Sequence, residues 1–313
     1  MSAIRNLQIA LFSLSLLWGC QGTAKVEDES RVTPQDRISA AQEALRRREY
    51  GEVLQPARLA YETADEKDTE TRGEALYLEA EALFHLDEYT GAHWVYERLL
   101  EKYPGHSRFR PVVEREYQIA LLLLEGKDPG YFLFFRIGRQ KVGIEILERI
   151  VNEFPAERFA EDGQFRIATY YFEERDFDEA KEEYARLISN YPASKWAAIS
   201  LYRQGVCVMH ESNGPKYDAT PLREARKVFK AYLKRFPRGD QLREAGERIA
   251  EIDEMLASEE YEVALAYLRQ GRPRSAIVYL RSIVENFSTT TYAQLARRTL
   301  AGIDPPAEPD EKG

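Results

Sequence analysis

The chain has little of what binds metals, closes disulfides or grips polyanions. Its 313 residues contain two cysteines, Cys20 and Cys207, and four histidines. Two cysteines cannot build a disulfide framework. His85, His93, His106 and His210 are scattered along the sequence. Cys207 and His210 could face one way on a helix, but two ligands do not make a metal site. A small buried thiol is the simpler reading of Cys207. Neither a metal nor a cofactor is expected. Basic charge is also short: 44 Lys and Arg stand against 53 Asp and Glu, a formal net charge of −9. Nucleic acid is therefore not expected as a ligand, because phosphate binding needs clustered Lys and Arg. Electrostatic binding to anionic lipid is disfavoured for the same reason.

Catalytic motifs are missing too. Gly126-Lys127-Asp128-Pro129-Gly130 lacks the Gly-Lys-Ser/Thr end of a phosphate loop. There is no Gly-x-Ser-x-Gly elbow and no His-Glu-x-x-His pair. An enzyme is not expected. Charge clusters such as Glu173-Glu174-Arg175 and Lys181-Glu182-Glu183 read as solvated helix faces.

What the sequence does have is a repeated mark. Tyr103-Pro104, Phe154-Pro155, Tyr191-Pro192 and Phe236-Pro237 each end a helical stretch, and Phe287-Ser288 has the aromatic without the proline. Self-similarity on this scale predicts stacked helical hairpins. Counting back from Pro192 puts Ile167, Ala168 and Tyr171 on one face of a first helix, and Ala180, Tyr184 and Leu187 on one face of a second. The order of small and large residues resembles the tetratricopeptide repeat. The same register gives Ala80, Leu83, Ala92, Tyr96 and Leu99 before Pro104, and Ala225, Phe229 and Tyr232 before Pro237. It gives Ala120, Leu123, Gly143, Leu147 and Ile150 before Pro155, and Ala264, Tyr267, Ala276, Leu280 and Ile283 before Ser288. A weaker unit at Ala41, Ala44, Val53, Ala57 and Ala60 makes six hairpins. The predicted fold is an all-α, tetratricopeptide-like α-solenoid over residues 35–303.

The marks are unevenly spaced: 155 − 104 = 51, 192 − 155 = 37, 237 − 192 = 45 and 288 − 237 = 51. The first excess falls mostly in a predicted loop from Gly126 to Arg139, containing Tyr131-Phe132-Leu133-Phe134-Phe135. Five consecutive large apolar residues need a cover. Either they fold back on the neighbouring repeat, or they form a docking patch for a partner, with Phe134 and Phe135 as candidates, or an insertion of substrate-like strands. The second excess is a Gly-, Pro- and Asp-containing loop from His210 to Ala219. The third has no breaker, so Gln241 to Arg269 reads as one long helix.

The N-terminus reads as a processed signal. Arg5 precedes an apolar run from Leu7 to Trp18, too short for a permanent span. Leu17-Trp18-Gly19-Cys20 resembles the lipobox of bacterial lipoproteins, with Trp18 departing from the small residue usual there. That resemblance implies a signal peptide over 1–19, acylation of Cys20 (palmitate among the acyl groups) and a lipid anchor. The alternative is an ordinary secretory signal with a chance cysteine. One acyl group holds only marginally at roughly 0.8 kcal/mol per buried CH₂, so stable anchoring takes more than one. Residues 20–34 are expected to serve as a flexible tether, and 304–313 as a disordered tail.

A lipobox followed by this repeat series resembles the BamD family of outer-membrane assembly lipoproteins. The match rests on Cys20 with its tether, on the insertion with Phe134-Phe135, and on Glu260-Tyr261-Glu262-Val263-Ala264-Leu265-Ala266-Tyr267-Leu268-Arg269-Gln270-Gly271. The resemblance implies a scaffold subunit of the β-barrel assembly machinery at the periplasmic face of the outer membrane. Its implied partners are a BamA-like protein, other assembly subunits and unfolded outer-membrane proteins. The family's BamA-facing arginine falls at Tyr279 here, with Arg281 two residues on; Arg281 is therefore only a candidate. Tyr77, Glu81 and His85 are candidate liners of a peptide groove. The competing readings are a repeat lipoprotein that scaffolds cell-wall enzymes and one that serves an envelope export system.

Overall fold

A computed structural model describes residues 32–127, 133–212, 214–216 and 218–303, with 133–137 described as backbone alone. Cys20, Tyr131, Phe132 and the 304–313 tail lie outside the described residues. Among the described residues thirteen helices run in sequence order: α1 (Pro34–Arg47), α2 (Tyr50–Thr63), α3 (Thr69–His85), α4 (Tyr89–Lys102), α5 (Phe109–Leu124), α6 (Leu133–Glu153), α7 (Ala160–Glu173), α8 (Phe177–Asn190), α9 (Ala197–His210), α10 (Thr220–Arg235), α11 (Leu242–Arg269), α12 (Pro273–Asn286) and α13 (Thr291–Gly302). No strand occurs among the described residues. Successive helices pair as six hairpins, and α13 closes the stack against α11 and α12. The fold is an all-α, tetratricopeptide-like solenoid.

Local chemistry explains the punctuation. Thr33 caps α1 through a reciprocal bond with Asp36, with Pro34 in the first turn. Of the six turns inside a hairpin, the longer α9–α10 turn has Gly214 at φ 97°, and the other five pass through a left-handed residue at φ 63–71°: Arg48, Asp87, Gly126, Arg175 and Gly271. Each of these five turns repeats one pair of backbone bonds, such as Arg175 N to Phe172 O and Asp176 N to Tyr171 O. These bonds satisfy the carbonyls that a helix end leaves open. Between hairpins, each aromatic mark donates its N–H to the carbonyl four residues back, as Tyr103 does to Leu99 and Tyr191 to Leu187. Phe287 does the same, to Ile283, with serine after it. Proline after the mark is therefore a stop signal that the fold can do without.

The predicted register is the observed core, with Tyr171 and Tyr267 half-buried at its edge. Tyr96, Tyr184 and Tyr232 are fully buried, as are Ala80, Ala92, Ala168, Ala180, Ala225 and Ala276. Small residues let the paired helices approach, and the rings fill the space between hairpins. At Gly205 a Cβ would stand 2.8 Å from the Phe229 ring, so α9 meets α10 at a distance only glycine permits. The long helix is observed as 28 residues, about 42 Å at 1.5 Å per residue. Two expectations are corrected. The Gly126–Arg139 stretch is not all loop, because α6 already begins at Leu133 and takes Phe134 and Phe135 into its first turn. Pro34, counted with the tether, is the first residue of α1.

Two hairpin units are spaced alike. The α4 and α8 helices start 177 − 89 = 88 residues apart and end 190 − 102 = 88 apart. Their left-handed turns, 175 − 87 = 88, and their tyrosine-proline marks, 192 − 104 = 88, keep the same offset. The α3–α5 and α7–α9 units can therefore be compared residue by residue.

Candidate functional site

The first helices of successive hairpins are stitched side by side at a spacing of 34 residues. Arg108 forks onto Glu74, Arg115 onto Glu81, Trp196 bonds Asp162 and Arg203 bonds Thr169, each pair 34 apart. This is the repeat length expressed as side-chain bonds, tying α3 to α5 and α7 to α9. Gln42 on Glu74 and the Tyr117 hydroxyl on Asp162, at other spacings, tie α1 to α3 and α5 to α7 and complete one polar face.

At the N-terminal end that face is closed. Glu74 accepts from Gln42 of α1 at 2.9 Å and from Arg108 Nε at 2.9 Å. Burial alone would raise the Glu74 carboxyl, but Arg108 and Gln42 together hold it below its usual value. The Arg108 guanidinium lies 4.6 Å over the Tyr77 ring. Glu81 is buried. It accepts Arg115 Nε at 3.0 Å and Arg115 Nη2 at 2.8 Å, and the Tyr96 hydroxyl as well. Burial, then the Glu81 charge, pushes the Tyr96 hydroxyl well up. Glu81, expected to line a groove, is thus consumed inside the fold. His85 is exposed and stacks on Tyr50 at 4.5 Å, while partial burial lowers its pKa. Tyr77 is half-buried beneath Arg108. Of the three groove candidates, Tyr77 and His85 reach the surface.

Behind this face, His93 and Glu116 form a buried pair at 2.7 Å, next to the Arg149–Glu97 ion pair at 2.8 Å. Neither the sequence pattern nor the repeat register pointed to it. The residue beside it, Trp94, is 53% exposed.

In the middle of the stack the same face opens. Phe165 and Trp196 stack at 4.2 Å and 3°, and a cleft of about 540 Å³ runs past them. Lys195, Arg203 and Arg238 line it, with Asp240 as the one lining carboxylate. Cys207 packs nearby, fully buried with Phe165, Ala168 and Tyr184, and burial pushes its thiol up to about 12. Its neighbour in the sequence pattern, His210, instead stacks on Phe177 at 4.1 Å. The structure thus turns the two residues to different partners. No group of three or more potential metal ligands gathers among the described residues.

At the C-terminal end, Tyr279 stacks on Tyr267 of α11 at 5.6 Å and is half-buried. Arg281 is exposed, on the outer face of α12 that also carries Val278, which is 66% exposed. Tyr261, in the 260–271 segment that carries part of the resemblance, joins α11 to α13 through Thr299 at 2.9 Å. No helix among the described residues is long and apolar enough to cross a membrane.

Comparison with known proteins bears on residues 137–301, which match the family model YfiO, described as an outer membrane lipoprotein. The matched stretch runs from α6 to α13 and covers more than half the chain. The chain belongs to the YfiO family. Among curated relatives, the outer membrane protein assembly factor BamD of Caulobacter vibrioides is 19% identical over 188 residues, 60% of this chain and 60% of the relative. BamD of Neisseria gonorrhoeae is 24% identical over 164 residues, 48% of this chain and 60% of the relative. The alignment thus spans about 60% of the length of the curated relatives it matches. Among solved structures, the C-terminal part of a TPR repeat-containing protein from Cytophaga hutchinsonii shares 11% identity over 87% of this chain and 90% of its own, with a TM-score of 0.38. The Glu81 and Arg115 cradle lies outside the residues matched to the family, and the open cleft and the α12 face lie inside them.

Proposed function

We propose that the protein is a BamD-type scaffold of outer-membrane protein assembly, held at the periplasmic face of the outer membrane by acyl groups on Cys20. The reading is carried by the family match over α6 to α13. Relatives named as assembly factors support it. In this reading a BamA-like partner docks on the outer face of α12, where Val278 supplies apolar area and Arg281 a charge free of acidic partners among the described residues. Phe134 and Phe135, in the first turn of α6, give a second contact. Unfolded outer-membrane proteins are received along the first-helix face, with Tyr77 and His85 at its N-terminal end. A stacked-hairpin face suits an extended polypeptide, because it offers the same side-chain spacing turn after turn.

The test is capture of the tagged full-length protein from detergent-solubilised membranes. Recovery of a BamA-like protein, lost in the double variant V278E/R281E while helicity is unchanged, is the expected result. Recovery of cell-wall hydrolases or export components without a BamA-like protein would overturn it. In the same cells, Cys20→Ser should release the protein from the membrane fraction.

A further inference from the structure

The two units offset by 88 residues hold the same arginine in two states. Arg115 of α5 and Arg203 of α9 correspond, as 203 − 115 = 88. So do Tyr96 and Tyr184, Phe84 and Phe172, and Tyr77 and Phe165. Around Arg115 the set is complete. Its Nε and Nη2 edge forks onto Glu81, the Tyr96 hydroxyl shares that carboxylate, and the guanidinium lies 4.2 Å over Phe84. A planar fork on a carboxylate is the geometry arginine is built for.

Around Arg203 the aromatic parts are kept and the carboxylate is gone. The guanidinium sits 5.3 Å over Phe172 and 5.6 Å over Phe165. At the position of Glu81 stands Thr169, since 169 − 81 = 88. Arg203 bonds Thr169 and Tyr184 through Nη1 alone, at 3.0 Å each, and both acceptors are neutral hydroxyls. The Nε and Nη2 edge has no acceptor, and Arg203 has no carboxylate within ion-pair distance, among the described residues. A half-buried guanidinium without a counter-charge is costly unless something supplies one. Arg203 lines the 540 Å³ cleft, with Lys195 and Arg238 at its exposed rim and a flat Phe165–Trp196 wall.

We propose that this cleft is a receptor for a carboxylate carried on a polypeptide, bound by the free edge of Arg203 as Glu81 is bound by Arg115. The bound segment rests its adjoining apolar part on the Phe165–Trp196 stack. Lys195, which also faces Asp162 at 3.9 Å, and Arg238 outweigh the one lining carboxylate, Asp240, and with Arg203 draw the carboxylate in over a distance comparable to the screening length of about 8 Å in physiological salt. Two sources carry this chemistry, an acidic side chain and a free polypeptide C-terminus. The site lies on the first-helix face and so rests on the substrate-receiving part of the proposed function. The α12 contact is separate, so capture of a BamA-like protein can succeed while this site fails, and the reverse.

The experiment is calorimetric titration of the purified full-length protein with three short peptides. One is amidated with a single internal glutamate, one has its C-terminus as sole carboxylate, and one is amidated with glutamine in place of the glutamate. At least one carboxylate peptide should bind about tenfold more tightly than the glutamine peptide, and more weakly as salt rises. Whichever carboxylate peptide is preferred identifies the source. Arg203→Gln should abolish the preference. Thr169→Glu should abolish it too while raising the melting temperature, because it rebuilds the internal pair seen at Glu81. Equal binding of all three peptides, or an unchanged preference in T169E, would overturn the proposal. T169E tests the site even if R203Q misfolds.

Discussion

Two units of the stack share helix lengths, turns and aromatic framework, yet one is sealed and the other is open. In the α3–α5 unit a carboxylate grows from α3 into the space between hairpins and neutralises Arg115. In the α7–α9 unit a threonine stands there, and the space stays a cleft. Asp162 in place of Glu74, 162 − 74 = 88, follows the same trend. Glu74 is forked by Arg108, whereas Asp162 accepts the indole N–H of Trp196. The framework that fixes the fold is thus kept apart from the few positions that decide whether a polar face is used internally or left for a ligand. The sealed unit lies before the family match and the open one within it.

The largest effect that could break this comparison is at Glu81. Glu81→Ala leaves Arg115 and the Tyr96 hydroxyl without their shared acceptor. Removing one partner of a buried pair costs about 3 kcal/mol or more. The Arg115 side chain keeps 24% exposure, so about 3 kcal/mol is expected, read by urea unfolding. A loss below about 1 kcal/mol would mean the sealed unit gains nothing from its carboxylate. A smaller effect separates the units by pH. Glu74 titrates below the usual 4.5 in the folded state, so its stabilisation is present above 4.5 and is lost as pH falls through the folded value. Glu74→Gln should cost about 1 kcal/mol near neutrality and approach wild type on acidification below 4.5, followed by thermal melts across pH. Smallest is the turn. Arg175 and Asp87 share φ 63°, but Asp87 accepts the Tyr89 hydroxyl at 2.6 Å. Arg175→Gly should therefore stabilise by about 0.5–1 kcal/mol, and Asp87→Gly by less, in paired chemical denaturations. Equal gains would show that the hydroxyl bond adds nothing.

The hairpins were legible in the sequence because each one repeats the same steric demand. Alanines where helices touch and tyrosines where hairpins touch recur in register, and every such position from Ala80 to Ile283 fell at a helix–helix contact or beside one. The long helix was legible because Gln241–Arg269 holds no proline and only one glycine, Gly246, to interrupt it. The start of α6 was not, because Leu133-Phe134-Phe135 reads as an apolar run of no fixed period. The thirteenth helix has no aromatic mark after it, and so no count reached it. The polar face was hidden for another reason. Glu81 carries the same charge as any solvated glutamate, and only the position of Arg115, a full repeat away, turns it inward. The 34-residue spacing between such a glutamate and an arginine is the one signal in the sequence that marks it.

Cys207 gives the open unit a chemical clock. Its thiol is fully buried among the side chains that also wall the Arg203 cradle, and burial holds it protonated up to about 12. A thiol reagent can reach it only when α9 parts from α7 and α8. The rate of labelling at Cys207 under native conditions therefore measures how often that one section opens, without an added probe. A ligand seated in the cleft would slow that clock by the fraction of time it is bound.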